Sequence, residues 1–298
     1  MLRRTLSSRD LAIIAPYLWL LLFFLAPFLI VLKISVAEIR IAMPPYTALL
    51  QFADGAFEGI HASIENYLLL IEDSLYWKSY LSSLKIAAIS TVLTLLLGYP
   101  IAYAMARAPA TWRLTLLMLV ILPFWTSFLI RVYAWIAILK NEGFINHFLL
   151  WIGVIDRPLV MLHTDFAVYV GIVYSYLPFM ILPLYANLEK MDPSLREAAA
   201  DLGCRPMKVF WTITLPLSRA AIIAGCFLVF IPAVGEFVIP DLLGGSSNLM
   251  IGKTLWAEFF NNRDWPLASA AAVILLLILV PPIMLFQRYQ SRQTWRVG

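Results

Sequence analysis

Two charged residues lie deep inside apolar runs of this sequence, Arg131 and Glu236, and they are the first candidates for chemistry. A charge at the centre of a bilayer costs roughly 2.5–3.5 kcal/mol on insertion scales, so each needs a partner or a water-filled path. Counted from the starts of their runs, near Leu114 and Arg219, each falls about 17 residues along, roughly 25 Å at the helical rise. That common depth allows an Arg131–Glu236 ion pair. A second reading gives Glu236 to a solute. Glu236-Phe237 sets a carboxylate beside an aromatic ring, and Asp241 follows about one turn later. Carboxylates and ring faces both attract organic cations. Pro232 and Pro240 bracket the stretch, which suits a helix that bends. The two readings coexist if Arg131 yields Glu236 to an arriving cation. Phe124, Trp125, Tyr174 and Tyr176 are further aromatic candidates along such a path, although packing is the commoner role for rings in apolar runs.

Other chemistries find little support. The three histidines, His61, His147 and His163, have neither H-E-x-x-H nor Cys/His spacing, which argues against a membrane-embedded metalloenzyme. No G-x-x-x-x-G-K-[ST] pattern is present, so ATP hydrolysis is not expected of this chain, and Gly245-Ser246-Ser247 reads as a loop. Cys204 falls in a loop and Cys226 inside an apolar run, so no disulfide is expected. No metal or cofactor is expected to bind.

The elements that must position these residues are membrane helices. With 62% hydrophobic residues, 13% charged and mean hydropathy +0.83, the chain departs from soluble composition. Six apolar blocks reach spanning length: 11–32, 86–106, 114–139, 166–186, 217–239 and 266–286. Backbone groups in lipid must be satisfied within the chain, so the expected fold is all-α with six transmembrane helices. Arg3, Arg4 and Arg9 precede the first block, and Ser35-Val36-Ala37 offers a small-x-small cleavage pattern. The apolar run is about twice the length of a signal-peptide core, so it is read as a retained helix. With the N-terminus inside, the segments 1–10, 107–113, 187–219 and 287–298 hold 13 Lys/Arg against 5 Asp/Glu. The opposite segments 33–85, 140–165 and 240–265 hold 8 against 12. That asymmetry favours both termini on the cytoplasmic side, and the net charge of +4 says nothing about nucleic acid.

One cytoplasmic segment, 187–219, is more than a connector. Asp192 or Ser194 can cap a helix, Pro193 suits its first position, and Ser194-x-x-Glu197 fits a capping box. Ala198, Ala199 and Ala200 favour helix, and Gly203 supplies a left-handed stop. A second short helix, about 206–212, precedes Ile213-Thr214-Leu215-Pro216 and the next span. A rigid knob on a membrane surface calls for a socket.

The spacing Glu197-Ala198-Ala199, Gly203, Ile213, Leu215, Pro216 resembles the EAA loop of binding-protein-dependent ABC importer permeases. The block 82–286 looks like the helical core of type I importer permeases (MetI-like), with 1–81 supplying an added helix and a long periplasmic loop and 287–298 a basic tail. Pro44-Pro45-Tyr46, Ile121 to Trp135, Ile231 to Pro240 and Glu258 to Pro266 are similar to the permeases of bacterial putrescine importers of the PotH type. The resemblance implies an inner-membrane subunit that docks through its EAA loop on ATPase subunits, which use ATP and Mg. It further implies a second homologous permease, a periplasmic polyamine-binding protein, and putrescine or a related polyamine as cargo. The alternatives are a permease for spermidine or another organic cation and, from another class, an ion-coupled carrier. Carriers usually show paired repeats, and none is visible here.

Overall fold

The computed structural model describes residues 8–53, 56–60, 62–246 and 248–294. Among the described residues four helices are long and apolar enough to cross a membrane, Ile13–Ser35, Ser74–Arg107, Asp165–Glu189 and Trp265–Met284. Two further pairs qualify only together: Ala110–Trp125 with Phe128–Trp151, bent by 91°, and Pro206–Leu217 with Arg219–Val234, bent by 66°. The expected third and fifth spans are therefore broken rather than straight. Pro123 opens a 3-10 turn at Leu122–Trp125, and Thr126 and Ser127 leave the helical region, which breaks the third. A bend at Ser218 marks the start of the fifth, and the chain unwinds again at Gly235–Phe237 before its expected end.

In chain order the elements are α1 (Ile13–Ser35), β1 (Leu50–Ala53), β2 (Ala56–Ile60), α2 (Glu65–Glu72), α3 (Ser74–Arg107), α4 (Ala110–Ile121), α5 (Phe128–Leu139), α6 (Phe144–Trp151) and α7 (Asp165–Glu189). Then follow α8 (Ser194–Asp201), α9 (Pro206–Leu217), α10 (Arg219–Val234), α11 (Val238–Leu242), α12 (Ile251–Trp256) and α13 (Trp265–Thr294). The membrane portion is all-α, as expected. An antiparallel hairpin is added in the first long loop, where Leu50 pairs with Ile60 and Ala53 with Ala56, with an irregularity between Gln51 and Phe52. α3 starts well before the expected block at 86. Its first three turns carry Tyr76, Ser79, Tyr80 and Ser83, whose polar atoms disguise a helix in a hydropathy reading.

The contacts divide the chain into two units. In the first, Met1–Trp77 with Leu255–Ile278, α1 presents its apolar side chains outward, which suits lipid. Asn66 Nδ2 donates to the carbonyls of Ser35 (3.1 Å) and Ala37 (2.8 Å), satisfying acceptors that the end of α1 leaves over. The hydroxyls of Ser35 and Tyr67 meet at 2.7 Å. In the same unit Tyr76 donates to Glu258 (2.9 Å), and Asp264 caps α13 by accepting from the Leu267 amide (3.0 Å). Trp265 stacks on Phe259 with ring centroids 4.9 Å apart.

The second unit, Lys78–Thr254 with Leu279–Gly298, has its core where α3, α7 and α10 meet. Met180 is fully buried there between two glycines. A Cβ on Gly98 of α3 would stand 3.0 Å from Met180 Cγ, and one on Gly225 of α10 would stand 2.7 Å from Met180 Sδ. Lipid tails are as apolar as leucine, so membrane helices gain their association from such close packing rather than from exclusion of water.

This interlock generates a paired prediction. Gly225→Val should overpack the crossing by about 1–3 kcal/mol. Met180→Ala should cost about 2–5 kcal/mol by leaving a cavity. The double variant should be more stable than the sum of the two losses, because the valine fills space the methionine vacates. Thermal unfolding of the detergent-solubilised chain checks this, and strict additivity would refute the interlock.

Candidate functional site

Two regions gather the residues singled out above. The first is the loop 187–219. Asp192 Oδ1 accepts from the Ser194 amide (2.9 Å), and the Arg196 and Glu197 amides both reach the Pro193 carbonyl. Pro193 is already helical, with φ −60° and ψ −30°. Asp192 therefore starts α8, and the capping box expected between Ser194 and Glu197 is replaced by this tighter aspartate turn. The same bond holds the Asp192 carboxyl below its ordinary pKa. At the other end Gly203 has φ +76°, its amide reaches the Ala200 carbonyl (2.8 Å), and the Cys204 amide reaches that of Ala199 (3.0 Å). That bond pair is a Schellman stop, which needs a left-handed residue. A Cβ on Gly203 would meet nothing within 4 Å, so the requirement for glycine lies in the backbone alone.

Within this loop Ala199 is buried, while Glu197, Ala198 and Ala200 face outward. Leu195, Leu202, Met207 and Trp211 are exposed, Leu202 to 84%. An apolar face on a surface helix calls for a partner. The second helix runs further than expected, with a π turn at Phe210–Thr214 holding Ile213, and Leu215 and Pro216 in its last turn. Phe210 meets Tyr99 and Tyr103 of α3 edge-on, with centroids at 5.6 and 5.8 Å. At the bend, Ser218 Oγ lies 3.0 Å from the Leu215 carbonyl and 2.9 Å from the Tyr99 hydroxyl.

The second region surrounds Glu236. α10 stops at Val234, and Gly235, Glu236 and Phe237 are unwound before α11. Glu236 is 8% exposed. Its Oε1 accepts from the amides of Val238 (3.1 Å) and Ile239 (3.4 Å), and its Oε2 from the Tyr176 hydroxyl (2.5 Å). Three donors thus converge on the two carboxyl oxygens and fix their orientation. The surrounding backbone is tightly fixed. A Cβ on Gly252 would collide with the carbonyl oxygens of Gly235 and Glu236, and one on Gly171 would stand 2.6 Å from Leu243.

The expected Arg131–Glu236 ion pair does not form. Ion pairs among the described residues join Arg113 to Glu189 (3.4 Å) and Lys253 to Asp241 (3.5 Å). Equal depth brings the two charges together only on straight helices; the 91° break before Phe128 and the unwinding at Gly235 remove both. Arg131 instead lies over the rings of Phe124 (5.1 Å) and Phe128 (5.7 Å), with Nε buried and unpartnered.

Of the aromatic candidates, Tyr176 donates a hydrogen bond to Glu236. Tyr174 packs edge-on against Trp135 (5.4 Å), and Trp125 is 79% exposed at the end of the 3-10 turn. Asp241 is exposed, and Phe237 is half-buried. Tyr176 was legible only as one ring among several. Its role depends on the loss of helical register after Gly235, which no spacing rule encodes.

Comparison with known proteins follows the same lines. Residues 10–296 match the family described as binding-protein-dependent transport system inner membrane component. The spermidine/putrescine transport system permease protein PotB of Salmonella typhimurium is 41% identical over 91% of this chain and 90% of its own length. PotB of Escherichia coli strain K12 is 42% identical over 85% and 87%. Among solved structures, a bacterial alginate ABC transporter in complex with an alginate pentasaccharide-bound periplasmic protein superposes with TM-score 0.72. That match covers 96% of both chains at 16% identity, and so concerns the fold alone.

Two measurements test the loop geometry. Gly203→Val should weaken the stop of α8 by about 1 kcal/mol or more through its positive φ, whereas Gly203→Asn, which tolerates that region, should cost much less. Amide hydrogen exchange over 194–204 should order the three proteins glycine, asparagine, valine from slowest to fastest. The lowered Asp192 pKa means that its cap stabilises α8 at neutral pH and is lost as pH falls through that value. Asp192→Asn should flatten the acid-side dependence of the same exchange rates.

Proposed function

Because the chain belongs to the binding-protein-dependent transport system inner membrane components, we propose that it is the permease subunit of an ATP-driven polyamine importer. The near full-length similarity to spermidine/putrescine permeases carries this reading. The motif resemblances point to putrescine, and the relatives' names add spermidine. In this reading both termini are cytoplasmic, in keeping with the charge asymmetry of the short loops. The segment 1–81 is an added helix with a periplasmic loop, 82–286 is the transport core, and 287–298 is a cytoplasmic tail.

The loop 187–219 docks on a separate ATPase subunit. Glu197, Ala198, Gly203, Ile213, Leu215 and Pro216 shape the knob, Ala199 anchors it, and the exposed Leu195, Leu202, Met207 and Trp211 supply apolar area. ATP and Mg belong to that partner. A periplasmic binding protein delivers the solute, and a second homologous permease completes the pathway.

Glu236 is the cation-accepting group. Its carboxyl is held in place by two amides and a phenol, so an ammonium end can take the place of the Tyr176 donor at Oε2 while the amides keep Oε1. Phe237, Asp241, Trp125 and Tyr174 flank the route with rings and charge. An ammonium ion at a ring face gains roughly 0.5–2 kcal/mol, rising with desolvation.

Uptake of labelled putrescine and spermidine into proteoliposomes containing the whole transporter and its binding protein tests the reading. Polyamine should stimulate ATP hydrolysis and enter the vesicles, and failure of both polyamines to do so would refute the cargo. Glu236→Gln preserves the acceptor for both amides and should lower uptake at least tenfold at unchanged assembly. Arg131→Gln should leave uptake within about twofold, since Arg131 does not pair with Glu236. Gly203→Asp should depress uptake and stimulated hydrolysis together.

A further inference from the structure

The loop 187–219 encloses a feature that docking does not use. A cavity of about 70 Å³ lies behind it, where α3 and α7 end and α4 begins, with Arg107, Arg113, Arg196, Glu189, Tyr103 and Thr214 on its walls. Ordinary ligand pockets measure about 300–1,000 Å³, so this one takes a single compact group. Three guanidiniums face one carboxylate. Glu189 is committed to Arg113 (3.4 Å), whose Nε also donates to the Ala108 carbonyl (2.9 Å). Among the described residues neither Arg107 nor Arg196 has an acidic side chain within ion-pair distance.

Basic residues at a cytoplasmic membrane surface follow from orientation rules alone, and most are simply solvated. Two observations separate this group from that background. The Arg107 guanidinium lies 3.9 Å above the Tyr103 ring, which fixes its plane and leaves its N–H edge to donate. Thr214 is 1% exposed, and its hydroxyl has no hydrogen-bond partner. Buried hydroxyls are nearly always bonded, so an orphan on the wall of a basic cavity marks a missing acceptor.

We propose that this cavity binds a phosphate group, held by Arg107 and Arg196 with the Thr214 hydroxyl donating to a third oxygen, as presented by an anionic lipid headgroup. Guanidinium forks match phosphate oxygens in geometry and charge. The cavity lies at the ends of two spanning helices, within reach of an interfacial headgroup, and Trp112, next in sequence to its lining residue Arg113, is exposed. Cytoplasmic leaflets are rich in anionic lipid. Only the choice of leaflet rests on the topology proposed above; the binding does not depend on the cargo.

Native mass spectrometry of the full-length chain in detergent, titrated with phosphatidylglycerol or phosphatidylcholine, tests the site. Phosphatidylglycerol should survive a tenfold detergent exchange that strips phosphatidylcholine. The Arg107→Gln/Arg196→Gln variant should lose at least fivefold of the bound lipid, and Thr214→Val, which keeps the side-chain shape, at least twofold. A charge-matched control, Arg205→Gln/Lys208→Gln, should retain it. Displacement of the lipid by millimolar inorganic phosphate would assign the site to the free anion; resistance to displacement would assign it to the headgroup. Equal retention of the two lipids, or unchanged retention in both cavity variants, overturns the proposal.

Discussion

Hydrocarbon offers a peptide group no hydrogen-bond partner, and each unsatisfied group there costs several kcal/mol. A membrane helix can therefore be interrupted only where something else supplies the missing donor or acceptor. Three interruptions among the described residues carry such a replacement close at hand. Glu236 accepts from two amides at the start of α11, Ser218 bonds the Leu215 carbonyl and Tyr99 at the 66° bend, and Thr126 Oγ1 returns to the Pro123 carbonyl (2.7 Å) beside the 91° break. The position of the buried carboxylate follows from this constraint. Once α10 stops at Gly235, a side chain must cap what comes next, and a carboxylate does so for two amides at once.

Close packing holds these interruptions in place. Met180 fills the gap between Gly98 and Gly225, Gly171 admits Ile239 of α11 and Leu243 just beyond it, and Gly252 lies against the unwound carbonyls of Gly235 and Glu236. Glycine acts here by what it leaves out, since a single Cβ at Gly252 would displace the segment that carries Glu236. The orphaned Nε of Arg131 stands apart from this pattern. Its guanidinium is compensated by ring faces rather than by an anion, which lowers the cost of burial without fixing a partner.

Much of this architecture was legible in the sequence, because hydropathy over some twenty residues reports a span whatever its curvature. The blocks 11–32, 166–186 and 266–286 correspond closely to α1, α7 and the apolar part of α13. The helix and glycine stop of the loop 187–219 were legible too, since Pro193, the alanine run and Gly203 act through local backbone preferences. What was not legible is tertiary. Nothing in the run from Leu114 to Leu139 announces a right-angle break except Pro123, and proline inside a span is often absorbed, as Pro178 and Pro183 are in α7. The Arg131–Glu236 pairing failed for this reason: depth along a sequence becomes distance in space only while the helix stays straight. The early start of α3 was hidden by its own serines and tyrosines, whose hydroxyls find partners such as the Ile251 amide on Ser83 (2.7 Å).

The contact of Phe210 with Tyr99 and Tyr103 has a mechanical consequence. The helices α9 and α10 are the two arms of an elbow at Ser218, and Phe210 pins α9 to α3 some eight residues before the joint. An arm fixed at one point cannot simply slide; force on its tip turns it about that point. Any rotation of α9 about that point is therefore shared with α10, and the far end of that arm is the unwound stretch that holds Glu236.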